Sequence, residues 1–482
     1  MTSSAEPITL DQVVTWQEPP RPAAPVLLAG ATVVGVLAAT VFPGPLGLNV
    51  PITGAAMLAA LLPVARRNRT SAVFAVLATA LLVLPALVAA GWIAALAISL
   101  AVPLGSYALT GGRSWIDLLG GGFALPLAVP RAAPWLRASL AVLTRESRRP
   151  TRPFAGSVLV AIVLVGIFGV LFTTADAVFS HAVSGLIPDL SIWPSLLKAI
   201  IFAVAAGTVL AGAFLATARP RFHRPPPADP IGRAIWIIPL AALDLLFLGF
   251  VTVQADVLLA GDKERLLRGT GRTYSQYARQ GFWQLLIVTG LVLAVVAVAV
   301  RYAPLGSRAD RATVRTVLGS LCALTLVVVA VALRRLYLYE EAYGWTRLRL
   351  WVHAFELWMG LIVILIGIAG VRLKAAWLPR ATAASGALGL LALGLLNPDG
   401  FIAAHDVHRF QHTGKADVAY LAGLSADAVP ALDRLPEPQR SCALRQLAGD
   451  LTGGDGWTGL NLSRERARNL LHDHPIHETP DC

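Results

Sequence analysis

Arg349, His353 and Glu356 are offset by four and three residues, so on a helix they stack along one face. A guanidinium, an imidazole and a carboxylate in that order can pass a proton, grip a charged ligand, or neutralise one another. They open an apolar run, 350–372. An ionisable group inside such a run is a candidate for function by default, because burying it in lipid is costly. Other residues of the same kind stand at the ends of other apolar runs. Asp176 closes 154–175, and Gln254 and Asp256 lie toward the end of 233–260. Tyr274, Tyr277 and Arg279 precede 280–301. Arg335 follows 313–333, with Tyr339 and Glu341 just beyond it. These residues are the candidate lining of one ligand pocket of mixed charge, rimmed by aromatics. A structural reading stands beside this one. Tyr at a membrane interface is a belt residue, Arg at the end of a span snorkels, and the Arg349–His353–Glu356 face can simply lower the cost of its own burial.

The elements that must position these residues are membrane spans. The chain is 56% hydrophobic and 14% charged, with a mean hydropathy of +0.66, outside ordinary globular usage. Apolar runs occupy 25–42, 50–65, 71–89, 92–110, 154–175, 194–218, 233–260, 280–301, 313–333, 350–372 and 378–396. A helix needs roughly 20 apolar residues to cross a bilayer, so an all-α bundle of about 11 spans over 25–396 is expected. The run 50–65 is short, and 115–130 reads as a re-entrant or interfacial segment. Residues 1–24 are polar and proline-rich and show no signal-peptide pattern, so the first span is the expected insertion signal.

Charge sets the orientation. Residues 1–396 carry 32 Lys+Arg against 16 Asp+Glu, whereas 397–482 carry 8 against 12. The excess sits in loops beside spans, as topology and anionic headgroups require, and is no nucleic-acid signature. The lipid bilayer is the expected partner. Arg66, Arg67 and Arg69, the arginines of 111–153, Arg219 to Arg224, Arg301 to Arg315 and Arg372 to Arg380 mark one side. Eleven spans with a cytoplasmic N-terminus satisfy them. The loops 261–279 and 334–349 are basic yet fall outside, and they hold the tyrosines and acids named above.

The tail, 397–482, is expected to be a small helical, soluble, extracytoplasmic appendage, with Ser425 and Ser463 as candidate N-caps and a turn at Gly454 and Gly456. Cys442 and Cys482 could form a disulfide in an oxidising compartment, whereas Cys322 lies within a span as a small packing residue. His405, His408 and His412 share a helical face, and His472, His474 and His477 cluster again. Exposed histidines are more often solvated than ligating, so no metal and no cofactor is expected. Phosphate loops and kinase or hydrolase signatures are absent.

Several phrases resemble bacterial membrane proteins of the domain-of-unknown-function (DUF) families 4153 and 4173. They are Thr174-Ala175-Asp176-Ala177-Val178-Phe179, the stretch Tyr274 to Leu285 with Tyr277-Ala278-Arg279-Gln280-Gly281-Phe282, Arg335-Leu336-Tyr337, and Glu341 to Arg349. Asn397-Pro398-Asp399 and Asp417-Val418-Ala419-Tyr420-Leu421 complete the set. The resemblance covers about 150–435 and implies a polytopic bacterial inner-membrane protein without an assigned activity.

Three functions fit. The preferred one is non-enzymatic: binding or moving a polar or amphiphilic ligand through an outward-facing pocket, which makes the chain a candidate transporter. The second is an envelope transferase on a lipid-linked substrate, using Asp176, Asp256, Glu340, Glu341 and Glu356. The third is an assembly or sensor partner without a ligand. Glu356 is expected to be bonded to Arg349, to His353 or to an arginine of the ninth span, with Glu340 in a loop.

Overall fold

A computed structural model describes residues 14–17, 25–65, 68–144, 192–223, 232–259, 282–304 and 306–477. Two apolar helices, α1 (Pro25–Val41) and α2 (Asn49–Leu61), are short for a crossing. They are followed by α3 (Arg69–Leu87), α4 (Gly91–Thr110), α5 (Trp115–Gly122) and α6 (Ala124–Thr144). After the segment 145–191 come α7 (Ile192–Thr217), α8 (Arg233–Leu259), α9 (Phe282–Tyr302), α10 (Arg308–Tyr343), α11 (Arg347–Arg372) and α12 (Leu378–Leu395). Among the described residues, eight helices are long and apolar enough to cross a membrane: α3, α4 and α7 through α12. The chain is therefore an all-α polytopic membrane protein. The run 154–175 lies outside the described residues, and 115–130 is helical, split between α5 and α6.

Local chemistry explains the helix ends. Ser307 and Asp310 close a capping box at the start of α10: the Asp310 amide donates to Ser307 Oγ at 3.0 Å, and the Ser307 amide donates to Asp310 Oδ2 at 3.0 Å. Arg233 Nε donates to Asp310 Oδ1 at 2.5 Å, tying α8 to the same corner. Asn68 caps α3 by accepting from the Ser71 amide at 2.7 Å. The helices then pack in groups. One hydrophobic cluster joins α1, α4, α6 and α7 around Leu215 and Phe214. Another joins α8, α9 and α10 around Leu321 and Val292. Small residues permit close approach: a Cβ on Gly35 of α1 would lie 2.6 Å from the Phe202 ring of α7. Strands β1 (Val14–Trp16) and β2 (Pro220–Phe222) pair antiparallel, Thr15 opposite Arg221.

Helix α10 corrects the sequence reading most. Its 36 residues span about 54 Å at 1.5 Å each, well over a hydrocarbon core of about 30 Å. The stretch 334–349, expected as a loop, is helical to Tyr343, and only Gly344–Thr346 connect to α11.

The segment after Asn397 is helical: α13 (Pro398–Thr413), α14 (Val418–Ala422), a 3-10 turn at Ala426–Ala428, α15 (Val429–Leu432), α16 (Gln439–Asp450) and α17 (Leu462–Asp473). Asn461, rather than Ser463, caps α17, accepting from the Arg464 amide at 2.9 Å. Ser425 precedes the 3-10 turn without a capping bond. The core of these helices is continuous with the membrane helices, since Ile402, Leu421, Leu432 and Leu444 share one cluster with Leu81, Ile93 and Leu104 of α3 and α4. Polar side chains complete the junction. Asn461 Nδ2 donates to the carbonyls of Pro85 at 2.8 Å and Val88 at 2.9 Å, and Ser463 Oγ donates to Leu87 O at 3.0 Å. Asp427 Oδ2 accepts from the amides of Ala89 at 2.9 Å and Ala90 at 2.8 Å. The C-terminal segment thus satisfies backbone groups that the end of α3 and the start of α4 cannot satisfy themselves. Cys442 is disulfide-bonded and Cys322 is free and buried; Cys482 lies outside the described residues.

Candidate functional site

The turn between α10 and α11 organises the polar residues. Gly344 has φ +82°, a conformation that an L side chain rarely adopts, and a Cβ there would lie 2.7 Å from Asp406 Oδ1. That close approach lets the Trp345 amide donate to Asp406 Oδ1 at 2.9 Å. Thr346 then caps α11, and Arg347 turns to Asp399. Arg347 Nε donates to Asp399 Oδ1 at 2.9 Å and its Nη2 to Oδ2 at 2.5 Å, a bidentate pair. Asp399 is fully buried and also accepts from Trp92 Nε1 at 3.2 Å and the Ser425 amide at 2.9 Å. The Arg347 amide donates to Tyr420 Oη at 2.8 Å. Burial pushes the Asp399 carboxyl up, but Arg347 and the Ser425 donors outweigh it and hold it below the usual carboxylate range. For Asp406 and Asp427 burial prevails over their hydrogen bonds, and both are raised.

A second polar group lies between α10 and α11, one turn or more into the bundle. Glu340 is 1% exposed, and neither of its carboxylate oxygens receives a hydrogen bond from the described residues. His353 Nδ1 lies 3.5 Å from Glu340 Oε2, and the imidazole stacks near Trp345 at 5.9 Å between ring centres. Three residues further along α11, Glu356 is also buried. It accepts from Thr289 Oγ1 of α9 at 3.1 Å through Oε1, and its Oε2 has no hydrogen-bond partner among the described residues. Beside it is a cavity of about 10 Å3, room for one water, lined by Leu286, Ala332, Leu333, Leu336 and Val352. Ala332, Leu336 and Glu340 recur at four-residue spacing, so one stripe of α10 faces Val352, His353 and Glu356 across the helix contact. Chemically this is a pair of buried carboxylates, short of donors, with one imidazole between the helices.

The expected site residues separate on this geometry. Arg349 lies 4.3 Å over the Tyr339 ring and donates to Gly344 O, so both belong to the turn. The expected bond from Glu356 to Arg349, His353 or an arginine of α10 is replaced by the Thr289 hydroxyl. It is Glu340, the presumed loop residue, that faces His353. Glu341 is exposed, Arg335 is half-buried on α10, and Gln254 is buried on α8. Asp176, Tyr274, Tyr277 and Arg279, together with the side chain of Asp256, lie outside the described residues. Asp244, without a local partner in the sequence, accepts from Ser320 Oγ of α10 at 2.6 Å. The sequence reading named Glu340 only as a loop residue among the transferase carboxylates, and it missed Thr289, Asp399 and Asp406 as members of polar networks. The four-residue stripe through Ala332 and Leu336 was the available signal for Glu340. For Asp399 it was the Asn397-Pro398-Asp399 phrase, where Asn397 adopts a left-handed φ of 57° and caps α13.

The described histidines do not converge. His405 stacks on Phe401 with ring centres 4.0 Å apart, while His408 and His412 meet each other at 3.1 Å between Nε2 atoms. Among the described residues, no group of three or more His, Cys, Asp or Glu is placed to hold a metal ion.

A family model described as "Domain of unknown function (DUF4153)" matches residues 52–435. That is well over half of the chain, which belongs to this family. No curated protein and no solved structure matches it.

Proposed function

Taking membership of the DUF4153 family as premise, we propose that the protein is a multi-pass bacterial plasma-membrane protein that binds, rather than chemically transforms, a polar or amphiphilic ligand. The ligand's cationic or proton-donating group is taken by Glu340, with His353 and Glu356 beside it. One observation carries this reading. Glu340 is almost wholly buried, yet among the described residues its carboxylate receives no hydrogen bond and faces one imidazole at 3.5 Å. A group left short of donors costs stability, which a purely structural contact has no reason to retain. In this reading the N-terminus is cytoplasmic and residues 397–482 form the soluble extracytoplasmic part. The arginine-rich loops and the bonded state of Cys442 support that orientation.

The test uses the purified full chain in nanodiscs and a panel of sodium, potassium, magnesium, spermidine and an alkylammonium amphiphile. At least one is expected to raise the thermal midpoint of the wild type and of Glu341→Gln, and to leave Glu340→Gln unmoved. If every panel member treats Glu340→Gln as it treats the wild type, Glu340 is not the ligand-binding group.

A further inference from the structure

The segment between α16 and α17 carries an exposed aromatic that the bundle does not use. Trp457 is 69% exposed, and Leu460 and Leu462 beside it, together with Leu46 of the α1–α2 turn, are exposed as well. The segment is nonetheless fixed. The Asn49 amide donates to Thr458 O at 2.7 Å, and the Leu48 amide to Leu460 O at 3.1 Å. Arg464 Nη2 donates to Leu46 O at 2.8 Å and to Gly459 O at 2.7 Å, while its Nε holds Asp455 at 2.8 Å. Backbones touch here: a Cβ on Gly47 would lie 2.3 Å from Gly459 O. Trp457 is therefore presented outward by a rigid support.

The height of that support is set by apolar helices. Asn461, four residues on, bonds the carbonyls at the end of α3, a helix long enough to span. Thr458 and Leu460 bond the start of α2, where the apolar helices α1 and α2 meet. At 19 residues α3 is about as long as the hydrocarbon is thick, so a residue pinned to its end lies at the boundary between hydrocarbon and water. Trp suits that level, with an apolar body for the chains and an indole N–H for the headgroups.

We infer that Trp457, Leu460, Leu462 and Leu46 form a contact surface for phospholipid at the membrane–water boundary, on the side of the C-terminal helices. The surface holds those helices against the bilayer.

The test places a spin label at 457 (Trp457→Cys, with Cys322→Ala and the Cys442 disulfide intact) in the full chain. The protein is held in phosphatidylethanolamine/phosphatidylglycerol nanodiscs. Lys415→Cys, exposed beyond the far end of α13, is the reference. The ratio of oxygen to nickel-chelate accessibility is expected to be several-fold higher at 457 than at 415. Equal ratios would overturn the proposal, because position 457 would then face water. Shielding from both quenchers would overturn it too, since a protein surface, such as a second copy of this chain, would then cover the site. A conservative variant guards against a folding defect. In Trp457→Phe, quenching of the total tryptophan fluorescence by lipids brominated near the headgroup should fall below that of the wild type. An unchanged quench would count against the lipid contact.

Discussion

Asp399→Ala removes a buried carboxylate that ties together α4, α11 and the C-terminal helices. In the folded protein it accepts four hydrogen bonds: two from Arg347, one from Trp92 Nε1 and one from the Ser425 amide. Alanine leaves the Ser425 and Trp92 donors without an acceptor, at about 1–3 kcal/mol for each buried group. It also strands the guanidinium. Losing one partner of a fully buried pair costs about 3–5 kcal/mol, but the Arg347 side chain is 37% exposed and recovers part of its hydration. About 3 kcal/mol is the expected loss, at the low end for a buried pair. The effect should be local, because the partners surround one junction. Amide exchange by mass spectrometry is therefore a suitable assay, with the purified chain in nanodiscs and peptides covering 84–92 and 419–432. At about 1.4 kcal/mol per tenfold, exchange there should accelerate about 100-fold, with Asp399→Asn intermediate because one acceptor oxygen survives. Peptides from α8 and α9 should be unchanged. An acceleration below tenfold at the junction, or an equal acceleration in α8, would refute the argument that Asp399 fastens the C-terminal helices to the bundle.

Glu340→Met replaces an undersatisfied buried carboxylate by an apolar group of similar length. The thermal midpoint should rise, by an amount corresponding to about 1–3 kcal/mol, whereas Glu341→Gln should stay within about 0.5 kcal/mol of wild type; a lower midpoint for Glu340→Met would argue for an unrecognised donor. Asp427 has a raised folded carboxyl, so the folded state holds its proton more tightly than the unfolded chain does. This group's contribution is favourable at low pH and is lost as the pH climbs through its raised value; the wild type should lose stability relative to Asp427→Asn over that range, and a constant difference would contradict it. Gly344→Ala puts a Cβ at φ +82° against Asp406, and should destabilise by about 1–3 kcal/mol; a neutral effect would mean that the turn relaxes freely. In intact cells, Lys415→Cys in a Cys322→Ala background should react with an impermeant maleimide, and labelling only after permeabilisation would place the C-terminal helices in the cytoplasm.

Much of the bundle was legible because lipid imposes one strong rule, a long apolar helix for each crossing. That rule reads where charge density changes, so it placed the runs of α3, α4, α7 and α9 within a few residues. It failed where a helix outlasts the hydrocarbon. The residues Arg334 to Tyr343 are polar enough to read as a loop, yet they continue α10, and the apolar stripe through Ala332 and Leu336 simply passes into Glu340. Hydropathy cannot see this, because a helix above the membrane has no reason to be apolar all round. The site was less legible for a related reason. Arg349, His353 and Glu356 do share α11, but which of them meets a partner depends on the facing helices. Thr289 on α9 and Glu340 on α10 are far away in sequence and of ordinary type.

The phrases on which the resemblance to the family rests acquire a physical meaning once they are folded. Gly344-Trp345-Thr346-Arg347 makes the turn, Asn397-Pro398-Asp399 supplies the carboxylate that receives Arg347, and Tyr420 accepts from the Arg347 amide. Trp345 stands between the two polar groups. Its amide bonds Asp406, and its ring touches His353, Phe401 and His405. The Glu340–His353 contact and the Asp399 junction are therefore separated by a three-residue connection that is pinned at both ends. Such a connection has little freedom to absorb a displacement of His353. A ligand that draws His353 away from Glu340 must move the Trp345 ring or break its packing, and Trp345 packs on the first helix of the C-terminal segment. If the proposed site binds as argued, occupancy should therefore change amide exchange in α13 as well as in α11, and in Trp345→Ala the response in α13 should be lost while that in α11 persists.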